Sequence, residues 1–523
     1  MGDQRMGRRA VLQGIAGGAT VLAGAGLLTG CGGDGGSGRR PAADDGKPRR
    51  GGRLRAAFTG SSVESASVLQ ATATPVDYVR ARIVWDTIGE IDGSKPVWRV
   101  AESVEPNADA TVWTVRVRDG ITFSDGKAVT ADDILFSLRT FASQPTTQSA
   151  FLAGLDAKAS RARDKRTVEL RLKSADGFFD LALAQSMFVF PDGTKDFAKA
   201  PGSGPFVLKQ WSRGRSSLLT ARKDYWGAGG PYLDEIELLS VADADARLNG
   251  LKAGQFDYAG ALTLPTTRSE ENNPRLRITT APRELWGELS FSMNLSTDPF
   301  THAQAAEAVR YAIDREAMVR TVTLGKGEVA DDAMGRHQSW YDSSLRRVEY
   351  DPDRARRLLS SGGLKGAKLS IRTSNYEYGP LEAATAFVEQ GRKAGLNVAV
   401  DKVPAADFYT DMKSLLGAPI KTSFYHPLPL PLALNSYYGP QASYPFTGPS
   451  DGTLDGLMRA MHTAVGDKRV KAVHDVQQYL YQHGGDAVFV RVPTVAGAAP
   501  AVRGVQAYGF FDYPSLRDAY LAS

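Results

Sequence analysis

A single cysteine, Cys31, stands in the 523 residues. That excludes an intramolecular disulfide framework and leaves no thiolate set for structural zinc. The six histidines (His302, His337, His426, His462, His474 and His483) form no His-Glu-x-x-His pattern and no close pair, so a zinc-hydrolase helix is excluded too. A strong charge of one sign is also missing. Of 63 Lys/Arg and 58 Asp/Glu, eight and four lie in the first fifty residues, leaving 55 against 54 in the rest. No run of Lys and Arg forms a nucleic-acid footprint, and nucleic acid is set aside as a partner. The uncharged stretch 10–28 is Gly- and Ala-rich and too weakly hydrophobic for a permanent membrane span. No short-period repeat is present. What remains is 42% hydrophobic and 23% charged, enough apolar content for sizeable cores and too much for general disorder.

The excess charge sits in a leader. Arg5, Arg8 and Arg9 precede the apolar stretch, which ends in Leu28-Thr29-Gly30-Cys31. That order reads as an export signal over residues 1–30. The Arg8-Arg9 pair fits a twin-arginine leader, with Sec export left open. A lone cysteine after Leu-Thr-Gly resembles the bacterial lipobox, so Cys31 is the expected lipidation site. Two acyl chains suffice for a stable anchor. Residues 31–52, rich in Gly, Asp and Arg without apolar periodicity, read as a flexible tether.

Beyond the tether the periodicities alternate between strand and helix. Residues 53–58, 111–118 and 167–172 alternate polar and apolar, as half-buried strands do. Thr130 followed by Asp133 and an apolar-periodic run marks a helix start. Helical spacing continues over 76–88, 301–322, 351–361, 381–393 and 467–481, with strands at 368–373 and 397–403. The βαβ rhythm of the second half predicts a partly parallel sheet, and the whole an α/β protein with more than one sheet.

Three ordered blocks carry a resemblance. The first is Trp113-Thr-Val-Arg-Val-Arg-Asp-Gly-Ile-Thr-Phe-Ser-Asp-Gly-Lys-Ala-Val-Thr-Ala-Asp-Asp-Ile-Leu-Phe-Ser-Leu-Arg139. The second runs from Gly202-Ser-Gly-Pro-Phe206 through Trp211, Asp224-Tyr-Trp-Gly227 and Tyr232-Leu-Asp-Glu-Ile236 to Leu251-Lys-Ala-Gly-Gln-Phe-Asp257. The third joins Asn294, Pro299-Phe300, Arg310-Tyr-Ala-Ile-Asp-Arg-Glu-Ala-Met318 and Asp351-Pro352 with Leu358-Leu359. Together they resemble solute-binding protein family 5, the peptide, dipeptide and nickel binders of ABC importers, from about residue 52 to the C-terminus.

The resemblance implies a two-lobed periplasmic-binding-protein-like fold, type II in its large three-subdomain variant, with hinged lobes. It divides the chain into a discontinuous lobe I core (53–95, 203–284 and 497–523), an accessory subdomain (96–202) and lobe II (285–496). The implied activity is capture of a peptide or peptide-like solute between the lobes and delivery to membrane permease subunits, by a monomer lipid-anchored outside the cytoplasmic membrane, without catalysis or cofactor. Alternatives are a metal chelate, siderophore or glycoside as solute, or a surface sensor or adhesion lipoprotein that binds a protein partner.

Two serine motifs point elsewhere at first sight. Ser124-Asp-Gly-Lys127 fits Ser-x-x-Lys, and Ser450 sits in Gly448-Pro-Ser-Asp-Gly452. The first reads as a hairpin turn and the second lacks the preceding buried strand of a nucleophile elbow, so neither is expected to be catalytic.

The informative segment is Thr422-Ser-Phe-Tyr-His-Pro-Leu-Pro-Leu-Pro-Leu-Ala-Leu-Asn-Ser-Tyr-Tyr438. In peptide binders of the resembled family the corresponding loop carries an Asp that pairs with the ligand's α-amino group. Here no acid occurs between Asp411 and Asp451, and His426 takes that Asp position when Asn435 is aligned. A buried ammonium without a carboxylate loses the partner that offsets its desolvation, so capture of a free amino terminus is in doubt. Candidate ligand contacts are Phe424, Tyr425 and His426 in this loop, with Phe136, Trp286, Asn294, Asn375 and Tyr376 at positions the family places near the cleft.

Overall fold

A computed structural model describes residues 47–522, apart from residues 71, 145 and 507–512. Arg8, Arg9 and Cys31 lie outside the described residues.

The first sheet has seven strands in the order Arg277–Thr280, Val495–Ala498, Tyr258–Leu262, Arg53–Phe58, Glu235–Ser240, Ser216–Ala221 and Phe206–Ser212. Arg53–Phe58 lies parallel to both its neighbours, while the flanking strands pair antiparallel. The helix Pro75–Val84 covers this sheet; in it Arg80, 1% exposed, pairs with Glu64 and Asp77 at 3.0 and 2.9 Å. A separate antiparallel sheet of four strands, Ala101–Pro106, Val112–Val117, Thr167–Leu172 and Leu155–Asp164, carries the helix Ala131–Ala142 across it. The Thr130 amide donates to Asp133 at 2.7 Å, forming the expected helix start.

The third sheet has six strands: Glu328–Val329, Asp486–Val492, Gly287–Met293, Ile420–Tyr425, Lys368–Thr373 and Asn397–Lys402. Its last three are parallel, and the helix Pro380–Lys393 joins Lys368–Thr373 to Asn397–Lys402. Gly287–Met293 and Asp486–Val492 are buried along their whole length, as central strands covered on both faces must be.

Two mixed α/β sheets thus form two lobes, and the chain passes between them twice. It leaves the seven-stranded sheet after Thr280 and enters the six-stranded sheet at Gly287; it returns from Val492 to Val495. The crossings run side by side, tied by the Ala281 amide to the Thr494 carbonyl at 3.0 Å and by the Gly287–Val492 pair. The strand Val495–Ala498, through which the expected lobe II boundary at residue 496 passes, pairs wholly within the seven-stranded sheet. The C-terminal segment returns to lobe I, where Arg517 donates to Asp86 at 3.0 Å.

One expected element divides. Instead of a continuous helix over 301–322 there are two, Ala303–Ala312 and Arg315–Val322. Ile313 leaves the helical region and the Asp314 carboxylate accepts the Ala317 amide at 2.9 Å, capping a new start.

Candidate functional site

Short polar and aromatic segments also join the lobes away from the two crossing strands themselves. The Ser94 carbonyl in the hairpin Gly89–Asp92/Lys95–Trp98 accepts Trp340 Nε1 at 2.9 Å, and the Ser94 hydroxyl accepts the Ser339 amide at 2.9 Å. Farther out, Arg469 of lobe II grips Asp180, in the short helix Phe179–Leu183 that follows the four-stranded sheet in the chain, with two bonds, 2.9 and 2.7 Å. Its guanidinium lies over Phe178 and Trp340, whose rings meet edge to face at 5.5 Å. The Gly177 amide donates to the His462 carbonyl at 2.6 Å. Burial pushes the Asp180 carboxyl up, with Arg469 opposing the shift. These contacts bridge the two lobes.

A cavity of about 670 Å³ lies beside the crossings. Glu90, Arg99, Arg277, Thr280, Glu284 and Thr494 are among its lining residues, which come from lobe I and from both crossings. Its size is that of a small-molecule site. Glu284 also borders a narrow recess lined by Trp286, Glu288, His426, Leu428 and Arg491. That recess leads to the ends of the parallel strands of lobe II, where an aromatic wall stands.

The wall is assembled by the sheet. Strands Lys368–Thr373 and Ile420–Tyr425 are parallel, so the segments following each emerge at the same edge, the edge where open α/β sheets place ligands. Tyr376 follows the first strand; it stacks on Phe408 at 4.8 Å and meets Tyr409 edge to face at 5.0 Å. Its hydroxyl oxygen accepts the Phe424 amide at 3.2 Å, joining the two segments. Phe424 meets His426 at 5.2 Å. On the other side Tyr437 lies 4.6 Å from Tyr425 and 6.4 Å from Tyr444. Such rings offer apolar faces with polar tips.

A buried hydroxyl network fixes this wall from beneath. Asp486 accepts from Ser290, Ser292, Tyr425 and Tyr438 at 2.7, 2.6, 2.8 and 2.5 Å. Burial and this carboxylate push the Tyr425 and Tyr438 hydroxyls well above their ordinary value. Burial alone lowers His426 to about 4, so at neutral pH it is an uncharged donor and acceptor. Lys421, buried with Nζ on the Phe446 carbonyl at 2.7 Å, falls to about 8.

The structure draws part of the sequence-nominated set together. Tyr376, Phe424 and His426 share the wall. Tyr425 alternates to the opposite face and spends its hydroxyl on Asp486 and Ser292. Asn375 is exposed on the same loop as Tyr376. Trp286 is buried in the crossing, donating to the Ala281 carbonyl at 2.9 Å beneath the Arg491 guanidinium. Asn294 commits its amide to Ser296 and the Leu416 carbonyl inside lobe II. Phe136 is half-buried on its helix against the core. Ser124 lies in the tight turn closed by the Phe123 amide on the Lys127 carbonyl, and Ser450 donates to Asp455.

Sequence reasoning missed the Asp180–Arg469 closure, which pairs residues 289 apart. Among the described residues no three His, Cys, Asp or Glu side chains converge as metal ligands, and no helix is long and apolar enough to cross a membrane.

Residues 95–416 match the family model described as "Bacterial extracellular solute-binding proteins, family 5 Middle". A glutathione-binding protein GsiB of Pectobacterium atrosepticum is 24% identical over 314 residues, 58% of this chain and 60% of the relative's length. The match therefore spans about three fifths of that relative. Helicobacter pylori DppA, solved with the peptide STSA, superposes with a TM-score of 0.72 at 17% identity, covering 91% of this chain and 99% of its own. AgaA of A. tumefaciens R10, solved with agropinic acid, gives 0.72 at 20% identity, covering 90% of this chain and 99% of its own. At that identity the structural likeness establishes the two-lobed fold alone.

Proposed function

Since the chain belongs to the family 5 bacterial extracellular solute-binding proteins, we propose that it captures a peptide or peptide-like solute between its lobes and hands it to the permease of an ABC importer. The observation that carries this reading is the pair of lobes itself: two antiparallel crossings join them, and a second set of polar contacts, centred on Arg469 and Asp180, also bridges them. A solute touching both lobes touches both only when they are shut, so binding shifts the open–closed population by that difference in affinity. The shut form is then what the permease reads. The protein performs no covalent chemistry and needs no cofactor; it acts as a monomer outside the cytoplasmic membrane, exported through the Arg8-Arg9 leader and held by acylated Cys31. The GsiB relatives and the STSA-bound structure support a short peptide or glutathione-like cargo.

A second reading, a non-peptide solute, is favoured by one feature: no acid occurs between Asp411 and Asp451, and a structural neighbour was solved with agropinic acid. Native mass spectrometry of the freshly purified chain, followed by calorimetry with trialanine, glutathione and whatever mass co-purifies, separates them. The first reading expects saturable binding of a peptide or thiol peptide. Binding of a non-peptide alone establishes the second, and no bound mass with no titration heat defeats both.

A further inference from the structure

The 670 Å³ cavity carries opposite charges at its two ends. One wall is the ribbon of Arg277–Thr280 and Val495–Ala498, in which Arg277 pairs with Ala498 and Thr280 with Val495. Three strand steps, about 10 Å, separate those pairs. The first crossing then carries the wall on to Glu284, which borders both the cavity and the recess leading to lobe II. Arg277 and Glu284 thus face the same space from beyond opposite ends of the ribbon.

Neither end is neutralised by the protein. Glu284 is half-buried and makes no hydrogen bond or ion pair among the described residues. It stands against lobe I: a Cβ on Gly93, in the turn of the hairpin Gly89–Asp92/Lys95–Trp98, would lie 3.8 Å from its Oε1. Asp92, beside that glycine and also on the cavity, has no partner among the described residues either. At the other end Arg277 donates to the Val502 carbonyl, no carboxylate among the described residues pairs with it, and its buried Nε has no acceptor. The other buried charges on the wall are committed. Glu90 and Arg99 face each other at 3.9 Å, Glu90 reaches Arg517 at 3.5 Å, and Arg99 reaches Asp86 at 3.9 Å.

A carboxylate or guanidinium held in a confined place without a counter-charge is unfavourable until one arrives. Acid at one end and guanidinium at the other suit a molecule with an ammonium at one terminus and a carboxylate at the other. An extended chain of three residues spans about 10 Å, the length of the ribbon between them.

Resting on the import reading above, we propose that this cavity takes a zwitterionic solute of about tripeptide length, its ammonium at Glu284 and its carboxylate at Arg277. The first crossing then supplies the counter-charge that the 422–438 loop lacks. Burial and the neighbouring Arg503 both lower the Arg277 guanidinium, a penalty that a bound carboxylate offsets.

The test is calorimetry at pH 7.5 on the full chain and its Glu284→Gln and Arg277→Gln variants, with trialanine, N-acetyl-trialanine and trialanine amide. The parent chain is expected to bind trialanine about tenfold or more tighter than either blocked form, the scale of one charge-assisted pair. Glu284→Gln abolishes the preference over the acetylated peptide and keeps that over the amide; Arg277→Gln does the reverse. The crossed pattern cannot come from misfolding, because each variant retains the other's preference, and Glu284→Asp and Arg277→Lys keep both in part. A preference that survives its own variant, or is missing from the parent, overturns the assignment at that end while leaving import intact. If the parent binds no probe, the co-purified mass decides. A cargo with both a basic nitrogen and an acid group, lost from either Gln variant, upholds the assignment. A cargo lacking one of those groups overturns it alone, and no cargo at all overturns the import reading with it.

Discussion

Glu377 and His426 sit at one edge of lobe II, and burial acts on them in opposite senses. The Glu377 carboxyl is raised to about 7. On acidification the folded chain therefore takes up this proton before the unfolded chain does, and above pH 7 the ionised form opposes folding. The groups facing it are the Tyr376 and Tyr409 hydroxyls, neutral throughout this range; Glu382, on the helix beyond, is turned to the Gly379 amide. Glu377→Gln should raise the ligand-free melting temperature at pH 8, with a smaller gain at pH 5, read by differential scanning fluorimetry. An equal or lower midpoint at pH 8 contradicts the unpaired carboxylate. His426, lowered to about 4, behaves in reverse: the unfolded chain binds its proton first. Its contribution is complete above about pH 6.5 and lost as pH falls toward 4, roughly 2 kcal/mol by pH 5. His426→Gln should flatten chemical-denaturation stability between pH 7 and pH 5 by up to that amount; an unchanged slope refutes a neutral, buried His426.

At the scale of elements, local signals were legible where one face meets a core and obscure where a long-range partner decides. The strands 53–58, 167–172 and 368–373 and the Thr130 helix start follow from alternation and capping chemistry that lie within a few residues. The break at Ile313–Asp314 was hidden because Ala305, Ala308, Val309 and Ala312 keep helical spacing up to it, while Asp314 was read as a helix interior residue. Asp314→Ala should remove the cap of Arg315–Val322 and lower stability by about 1 kcal/mol, measured by urea denaturation. Gly287 shows the other limit. At the exit of the crossing, a Cβ on this residue would lie 2.3 Å from the Phe424 ring. The ring can rest on the strand only because the glycine has no side chain. Gly287→Ala should displace Phe424 and weaken solute binding about tenfold or more, an effect of misplacement and not of lost contact. Binding unchanged in calorimetry contradicts the placement of Phe424 against the cleft. The wall itself was half legible: Tyr376 and Phe424 were nominated, but Tyr409 and Tyr437 join them only through tertiary packing.

For the whole molecule, the order of blocks along the chain carried the family and its two-lobed architecture, whereas the closure did not show, since Asp180 and Arg469 lie in different lobes and in unremarkable surroundings. Arg469→Ala removes a two-bond ion pair and its stacking on Phe178 and Trp340, while in the open form Asp180 returns to water. The open–closed equilibrium should move toward open by about 1–3 kcal/mol. The apparent affinity should weaken five- to 150-fold, with the loss sitting mainly in the dissociation rate. A faster association with unchanged dissociation would mean that the pair does not hold the cleft shut.

The most direct measurement is small-angle X-ray scattering on the full chain, stripped of cargo and then resupplied with the small-molecule fraction released from the native protein. Hinged capture predicts a radius of gyration that is larger when stripped, contracts on resupply, and stays expanded in Arg469→Ala at the same concentration. A profile identical in all three states would show a body that does not open, and capture between moving lobes would be wrong.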